Sequence, residues 1–75
     1  MTLTLDARGR RCPLPILDLA RHIGDAAVGD TITVEADDPA AGPDIQAWCR
    51  MRGHDFVATS TAVDGVAAYA VRRLH

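Results

Sequence analysis

The sequence predicts a two-layer α/β sandwich in which a mixed four-stranded sheet carries two helices on one face. Four short segments alternate polar and apolar residues or are rich in β-branched residues, and two segments show helical periodicity. They follow one another in the order βαβαββ, and two right-handed crossover helices lie on the same face of a sheet if the strand order does not reverse direction. The 75 residues suffice for one domain, and we expect residues 1–75 to form it.

The first part of the chain predicts a strand, a loop and a helix. Residues 2–5 alternate in the manner of a half-buried strand, and residues 6–11 form a polar loop. Apolar residues then recur at helical spacing up to Gly24, which we expect to be a left-handed cap. Because proline is favoured at the first helical position, we expect Pro13 there and Cys12 at the N-cap.

The second part predicts three strands and one helix. The strands are expected at residues 31–36, 56–61 and 66–74, with turns at residues 28–30 and 64–65. A helix that began at residue 39 would lose a backbone hydrogen bond at Pro43. We therefore expect a turn at residues 39–42 and a helix from about residue 43 to Gly53, with Ile45, Trp48 and Cys49 on its apolar face.

Composition and charge exclude several classes of protein. A net charge of −2 argues against nonspecific nucleic-acid binding, and the chain contains no lysine for Schiff-base chemistry. Two distant cysteines do not have the density of a small secreted scaffold, so we expect reduced thiols in a cytoplasmic protein. The sequence has no signal-peptide pattern and no apolar run near the roughly 20 residues that span a bilayer. We expect no membrane association.

Cys12 is the candidate reactive residue. It follows a loop that contains Arg8, Arg10 and Arg11, and its predicted position is the N-terminus of a helix. Guanidinium groups and the helix dipole both favour a thiolate, so we expect the pKa of Cys12 to lie below that of a free cysteine. The alternative is that Cys12 only caps the helix, although cysteine is a poor cap.

The residues around Cys12 also limit its chemistry. The predicted helix would place His22 nearly three turns from Cys12, too far to serve as its base. Pro15 stands where a thioredoxin-like motif has its second cysteine, and scattered Cys and His residues do not form a zinc pattern. We expect no metal and no cofactor, and we expect Cys49 in the core, with a resolving role as the alternative. What remains is a thiol that accepts a group and hands it on, held outward by Pro13 and Pro15.

The segment LDARGRRCPLPIL, residues 5–17, resembles the TusA/SirA-like sulfur-carrier family. The hallmark of that family is a short strand, an L-D-x-x-G-x-x-C-P-x-P motif and a helix. Residues 36–57 also resemble the family, in which a D-D-P-A segment leads into a D-I-x-x-aromatic-C helix. The resemblance covers essentially the whole chain.

The resemblance implies that Cys12 carries sulfane sulfur as a persulfide. Pro13 and Pro15 would be the motif prolines that shape the loop–helix junction. Independently of the resemblance, the positive charges of Arg10 and Arg11 would favour the anionic persulfide. The implied partners are a cysteine desulfurase or rhodanese-type donor protein and an acceptor protein of a sulfur relay, without direct contact to nucleic acid. The implied destinations are tRNA thiolation, molybdenum-cofactor biosynthesis and sulfur oxidation.

Several questions stay open at the level of sequence. Leu14 stands where the tRNA-thiolation members often carry glutamate, so the resemblance does not select one pathway. A regulatory or interaction module that binds a partner such as RNA is an alternative function, and a one-cysteine redox sensor is another. The residues also leave open whether the chain is an enzyme or a carrier.

Overall fold

The computed structural model describes residues 2–75, so Met1 of the predicted domain lies outside the described residues. A short 3-10 helix, Ile23–Asp25, follows the first α-helix. The remaining elements, in chain order, are β1 (Thr2–Asp6), α1 (Leu14–His22), β2 (Thr31–Ala36), α2 (Ala41–Arg52), β3 (Asp55–Thr61) and β4 (Ala67–Arg72).

The four strands form one mixed sheet in the order β1-β2-β4-β3. β1 and β2 are parallel, and β4 is antiparallel to both of its neighbours, β2 and β3. The predicted fold class, a two-layer α/β sandwich with a mixed four-stranded sheet and two helices, is confirmed. At the predicted hairpin turn, Gly65 has a φ of 88°, and the Ala62 N–H donates to the Val66 carbonyl at 2.8 Å.

A single hydrophobic core lies between the helices and one face of the sheet. β2 alternates strictly, because every second side chain faces the helices. Each helix contributes apolar side chains to the same cluster, so both helices cover the same face. The core is formed mainly by Leu19, Ile32, Val34, Ile45, Trp48, Cys49 and Val71.

The start of α1 differs from the prediction. The helix begins at Leu14 with Pro13 as its N-cap, so Cys12 is a loop residue and not the cap. The reason is a turn before the helix, in which the Leu14 N–H donates to the Arg11 carbonyl at 2.7 Å. The predicted glycine cap at Gly24 is also wrong, because the chain continues into the 3-10 helix with Ile23 in a right-handed conformation.

The start of α2 also differs from the prediction, whereas its end is confirmed. α2 begins at Ala41, two residues before the predicted start, so Pro43 is its third residue. The backbone amides in the first turn of an α-helix have no hydrogen-bond partner inside the helix. A proline at the third position therefore does not cost the hydrogen bond that we expected it to cost. Gly53 ends the helix with a φ of 75°, as predicted. No helix within residues 2–75 is long and apolar enough to cross a membrane.

Candidate functional site

The loops that follow β1 and β2 meet at one edge of the sheet. β1 and β2 are parallel neighbours, so their carboxyl ends lie at the same edge. The Ala7 N–H donates to the Glu35 carbonyl at 2.7 Å and extends this pairing into the first loop. The arrangement places the segment with Cys12 beside the segment with Asp37 and Asp38.

Two carboxylates hold Cys12. Its backbone N–H donates to Asp38 Oδ2 at 2.6 Å, and its thiol donates to Asp44 Oδ2 at 2.7 Å. The Cys12 side chain is exposed, and the Cys12–Pro13 peptide bond is cis. The thiol is therefore accessible at the surface while its position is fixed from two sides, by the loop before α2 and by the first turn of α2.

The electrostatic surroundings of the thiol are opposite to those predicted. The hydrogen bond to Asp44 raises the pKa of the Cys12 thiol above its usual value, and partial desolvation and the charge of Asp38 raise it further. The expectation that arginines and a helix N-terminus would lower this pKa is wrong. In the free structure Cys12 is held as a thiol.

Carboxylates away from the sulfur bind two of the three arginines. Arg8 forms a bidentate pair with Asp64, at 2.8 Å for each nitrogen, and also bonds Glu35 at 2.8 Å. Arg10 pairs with Asp18 of α1 at 2.5 Å. Arg8 therefore ties the loop to the β3–β4 hairpin and to β2, and Arg10 ties it to α1.

Arg11 has a different position from the other two arginines. It lines a cleft of about 440 Å³ together with Gly9, Asp37, Asp38 and Pro39. Its charge contributes to the lowered pKa of the Asp38 carboxyl, whose main causes are the amides of Ala40 and Cys12. Arg11 acts on the site through Asp38.

The two motif prolines have separate structural roles. Pro13 is exposed and lies next to the thiol, whereas Pro15 is fully buried and anchors the start of α1 in the core. Leu14 between them is 38% exposed. The residue at position 14 is therefore a partly exposed apolar side chain two residues from the cysteine.

An apolar surface groove of about 290 Å³ adjoins the thiol. Its walls come from both helices, and Met51 on its rim is well exposed. The groove is lined by Cys12, Pro13, Ile16, Asp44, Ala47, Trp48 and Met51. A partner that reaches Cys12 from this side meets a mostly apolar surface with one carboxylate in it.

The sequence alone gave no reason to assign a chemical role to Asp38 or Asp44. Asp38 shapes the loop before α2, because its side chain accepts the Ala40 N–H at 3.1 Å and its carbonyl accepts the Ala41 N–H at 3.0 Å. Asp44 lies in the first turn of α2, where an acidic residue is common for helical reasons alone. Nothing in the local sequence distinguishes it from an ordinary helix-start residue.

The second cysteine and the histidines form contacts that support the fold. Cys49 is 2% exposed, and burial raises its pKa to about 11, so the prediction that it is a core residue is confirmed. His22 bonds Asp25 at 2.8 Å, and the ring of His54 stacks between Trp48 and His75. Within residues 2–75, no three His, Cys, Asp or Glu side chains gather in a group that could hold a metal ion.

Comparison with known proteins identifies the family. The family model described as Sulfurtransferase TusA matches residues 3–73. A Bacillus subtilis (strain 168) relative, YrkF, is named as a sulfur carrier protein and is 33% identical over 58 residues, which are 77% of this chain and 31% of that protein. The solved structure of a SirA-like protein from Desulfitobacterium hafniense has the same fold, with a TM-score of 0.80 over 100% of both chains at 21% identity. Because the family model covers nearly the whole chain, the chain belongs to the TusA sulfurtransferase family.

Proposed function

We propose that Cys12 accepts sulfane sulfur as a persulfide from a donor protein and passes it to an acceptor protein. Membership of the family supports a sulfur-carrier or sulfurtransferase role. The observation that carries the proposal is the contrast between the two cysteines, since Cys12 is exposed at the meeting edge of two loops and Cys49 is buried in the core. Only the first can reach the reactive sulfur of another protein.

The transfer step needs no external oxidant or reductant. The sulfur of Cys12, once it has lost its proton, attacks the outer sulfur of a protein persulfide, R–S–SH. A new S–S bond forms at Cys12, the S–S bond of the donor breaks, and the donor leaves as a thiolate that takes up a proton. The net reaction is Cys12–SH + R–S–SH → Cys12–S–SH + R–SH, and handing on the sulfur to an acceptor thiol is the same reaction in reverse.

The supporting residues act through position. We assign Pro13 and Pro15 to the geometry of the junction, because one lies beside the thiol and the other is buried under the start of α1. Arg10 holds the loop against α1 through Asp18, and Arg11 acts on the site through Asp38. These assignments make the loop a rigid support for an exposed sulfur.

The partners in this proposal are a cysteine desulfurase or a rhodanese-type protein as donor and a sulfur-relay protein as acceptor. Exposed Leu14 and the apolar groove beside Cys12 favour partner surfaces that are apolar around their reactive sulfur. The acceptor would belong to tRNA thiolation, molybdenum-cofactor biosynthesis or sulfur oxidation. A substitution of Leu14 would distinguish these acceptors, because it would change sulfur transfer to some of them and not to others.

Intact-mass measurement tests the proposal. The protein is incubated with a cysteine desulfurase and cysteine, or with a rhodanese and thiosulfate, and its mass is recorded without reductant. We expect the wild type and Cys49→Ala to gain the mass of one sulfur atom and Cys12→Ser to gain none. Equal loading of Cys12→Ser and the wild type, or no loading of any variant by either donor, would exclude this function.

A further inference from the structure

The hydrogen bond between the Cys12 thiol and Asp44 depends on whether the carrier is loaded. In the empty protein, the hydrogen on Sγ is donated to Asp44 Oδ2 at 2.7 Å. In a persulfide, Sγ is bonded to Cβ and to the outer sulfur, so it has no hydrogen left to donate. Loading therefore removes the Sγ donor from the Asp44 carboxylate, and an ionised persulfide has no other hydrogen to donate.

A second effect acts in the same direction. A persulfide is a stronger acid than the corresponding thiol, so the loaded residue carries more negative charge at neutral pH than the empty one. That charge would lie next to the carboxylate of Asp44 at the start of α2 and near Asp38 in the preceding loop. Like charges at this separation repel one another. Arg11, beside Cys12 in the chain, contributes to the lowered pKa of the Asp38 carboxyl.

We propose that Asp44 makes Cys12 a sulfur-releasing site, because its carboxylate binds the empty thiol and disfavours the loaded persulfide. This inference rests on the proposed function and adds a direction to it. The apolar groove that contains Asp44 further destabilises the loaded persulfide. When a partner docks in the groove, it displaces the water that would solvate the persulfide anion. Sulfur is then held weakly and passes readily to an acceptor thiol.

The geometry favours Asp44 over the other charged groups near the site. Asp38 binds the backbone N–H of Cys12, and this hydrogen bond is available in the empty and in the loaded state. Arg10 is paired with Asp18 and is not directed at the sulfur. Asp44 is the group whose contact is with the reacting atom itself.

A competition for limiting sulfur tests the proposal. Wild type and Asp44→Asn, one of them labelled with ¹⁵N so that their masses differ, are mixed in equal amounts with rhodanese and a limiting amount of thiosulfate until the distribution no longer changes. We expect sulfur to favour Asp44→Asn by about threefold to tenfold, the scale of one exposed charged hydrogen bond. Asp25→Asn removes a surface carboxylate that bonds His22 and is the matched control, for which we expect an even distribution with the wild type.

The pH dependence separates this effect from a change of structure. The preference for Asp44→Asn should shrink as the pH is lowered and the persulfide becomes protonated, because a protonated persulfide can again donate to the carboxylate. A preference that is independent of pH, an even distribution, or a preference for the wild type overturns the proposal.

A measurement on the protein without a persulfide tests the role of Asp44 independently of the proposed carrier function. The titration of Cys12 is followed by its ¹³Cβ chemical shift in the empty protein, in the Cys49→Ala background so that Cys12 is the remaining cysteine. We expect Asp44→Asn to lower the titration midpoint of Cys12 and Asp25→Asn to leave it unchanged. An unchanged midpoint in Asp44→Asn refutes the role of Asp44 even if loading succeeds, whereas a lowered midpoint without any loading refutes the carrier function alone.

Discussion

Replacement of Gly42 by alanine tests the packing that places the first turn of α2, and with it Asp44, against the sheet. A Cβ atom at position 42 would lie 2.9 Å from Cε1, 3.2 Å from Oη and 3.3 Å from Cζ of Tyr69. Carbon atoms in favourable contact are separated by about 3.5–4.0 Å, so the tyrosine ring or the helix must move. The ring of Tyr69 also packs on the core and against Phe56, with ring centroids 6.4 Å apart.

Two opposing terms decide the sign of the effect. Alanine in a helix is more favourable than glycine by about 0.5–1 kcal/mol. Overpacking at a filled position costs about 1–3 kcal/mol. We therefore expect Gly42→Ala to reduce the free energy of unfolding by about 1 kcal/mol, which lowers Tm by about 4–8 °C for a chain of this size.

The assay is urea and thermal unfolding, followed by circular dichroism in two backgrounds. In Tyr69→Val the ring is absent, so the same glycine-to-alanine change should become neutral or stabilising. Gly24→Ala is the matched control: its Cβ would have no neighbour within 4 Å, and we expect a gain of about 0.4–1 kcal/mol. If Gly42→Ala has the same effect with and without the Tyr69 ring, the contact is not the cause and the reasoning is wrong.

Two further predictions concern the cysteines and the ion pairs. In the native protein, iodoacetamide should modify Cys12 and spare Cys49, because Cys12 is exposed and burial raises the pKa of Cys49 to about 11. Peptide mass spectrometry measures the labelling of each cysteine, and equal labelling of both thiols would contradict the prediction. Hydrogen bonds from Arg8 lower the pKa of Asp64 below its usual 3.8, so this carboxylate stabilises the fold above about pH 4 and the contribution is lost as the pH falls through the folded-state pKa. Arg8→Gln should therefore show a smaller loss of Tm than the wild type between pH 5 and pH 2, and an identical loss would count against the ion pair.

The fold was accessible from sequence because its signals are local. β2 occupies residues 31–36 as predicted, since strict alternation of apolar residues specifies both its limits and its buried face. The glycines at positions 53 and 65 end a helix and form a turn at positive φ, which few other residues adopt. The helix starts were less accurate, because a proline is compatible with several positions of the first turn, and contacts outside the helix decide among them.

The environment of Cys12 was not accessible in the same way. The local sequence predicts that the nearest charges along the chain, Arg10 and Arg11, act on the sulfur. The charges that do so come from Asp38 and Asp44, which are 26 and 32 residues away. Arg10 is paired with Asp18, the charge of Arg11 acts on Asp38, and only the folded chain shows which groups meet.

The strand order explains why these distant carboxylates reach the cysteine. Element order alone, βαβαββ, does not state which strand lies next to β1, and a sheet with another strand there would separate the two loops. With β1 and β2 as parallel neighbours, the loop after each strand leaves the sheet at the same edge, and the helix that follows each loop starts there. Cys12 at the end of the first loop then meets Asp38 in the second loop and Asp44 at the start of α2. A sequence prediction that includes strand order would therefore place acidic residues beside the thiol, and would expect a protonated cysteine where the local sequence suggests a thiolate.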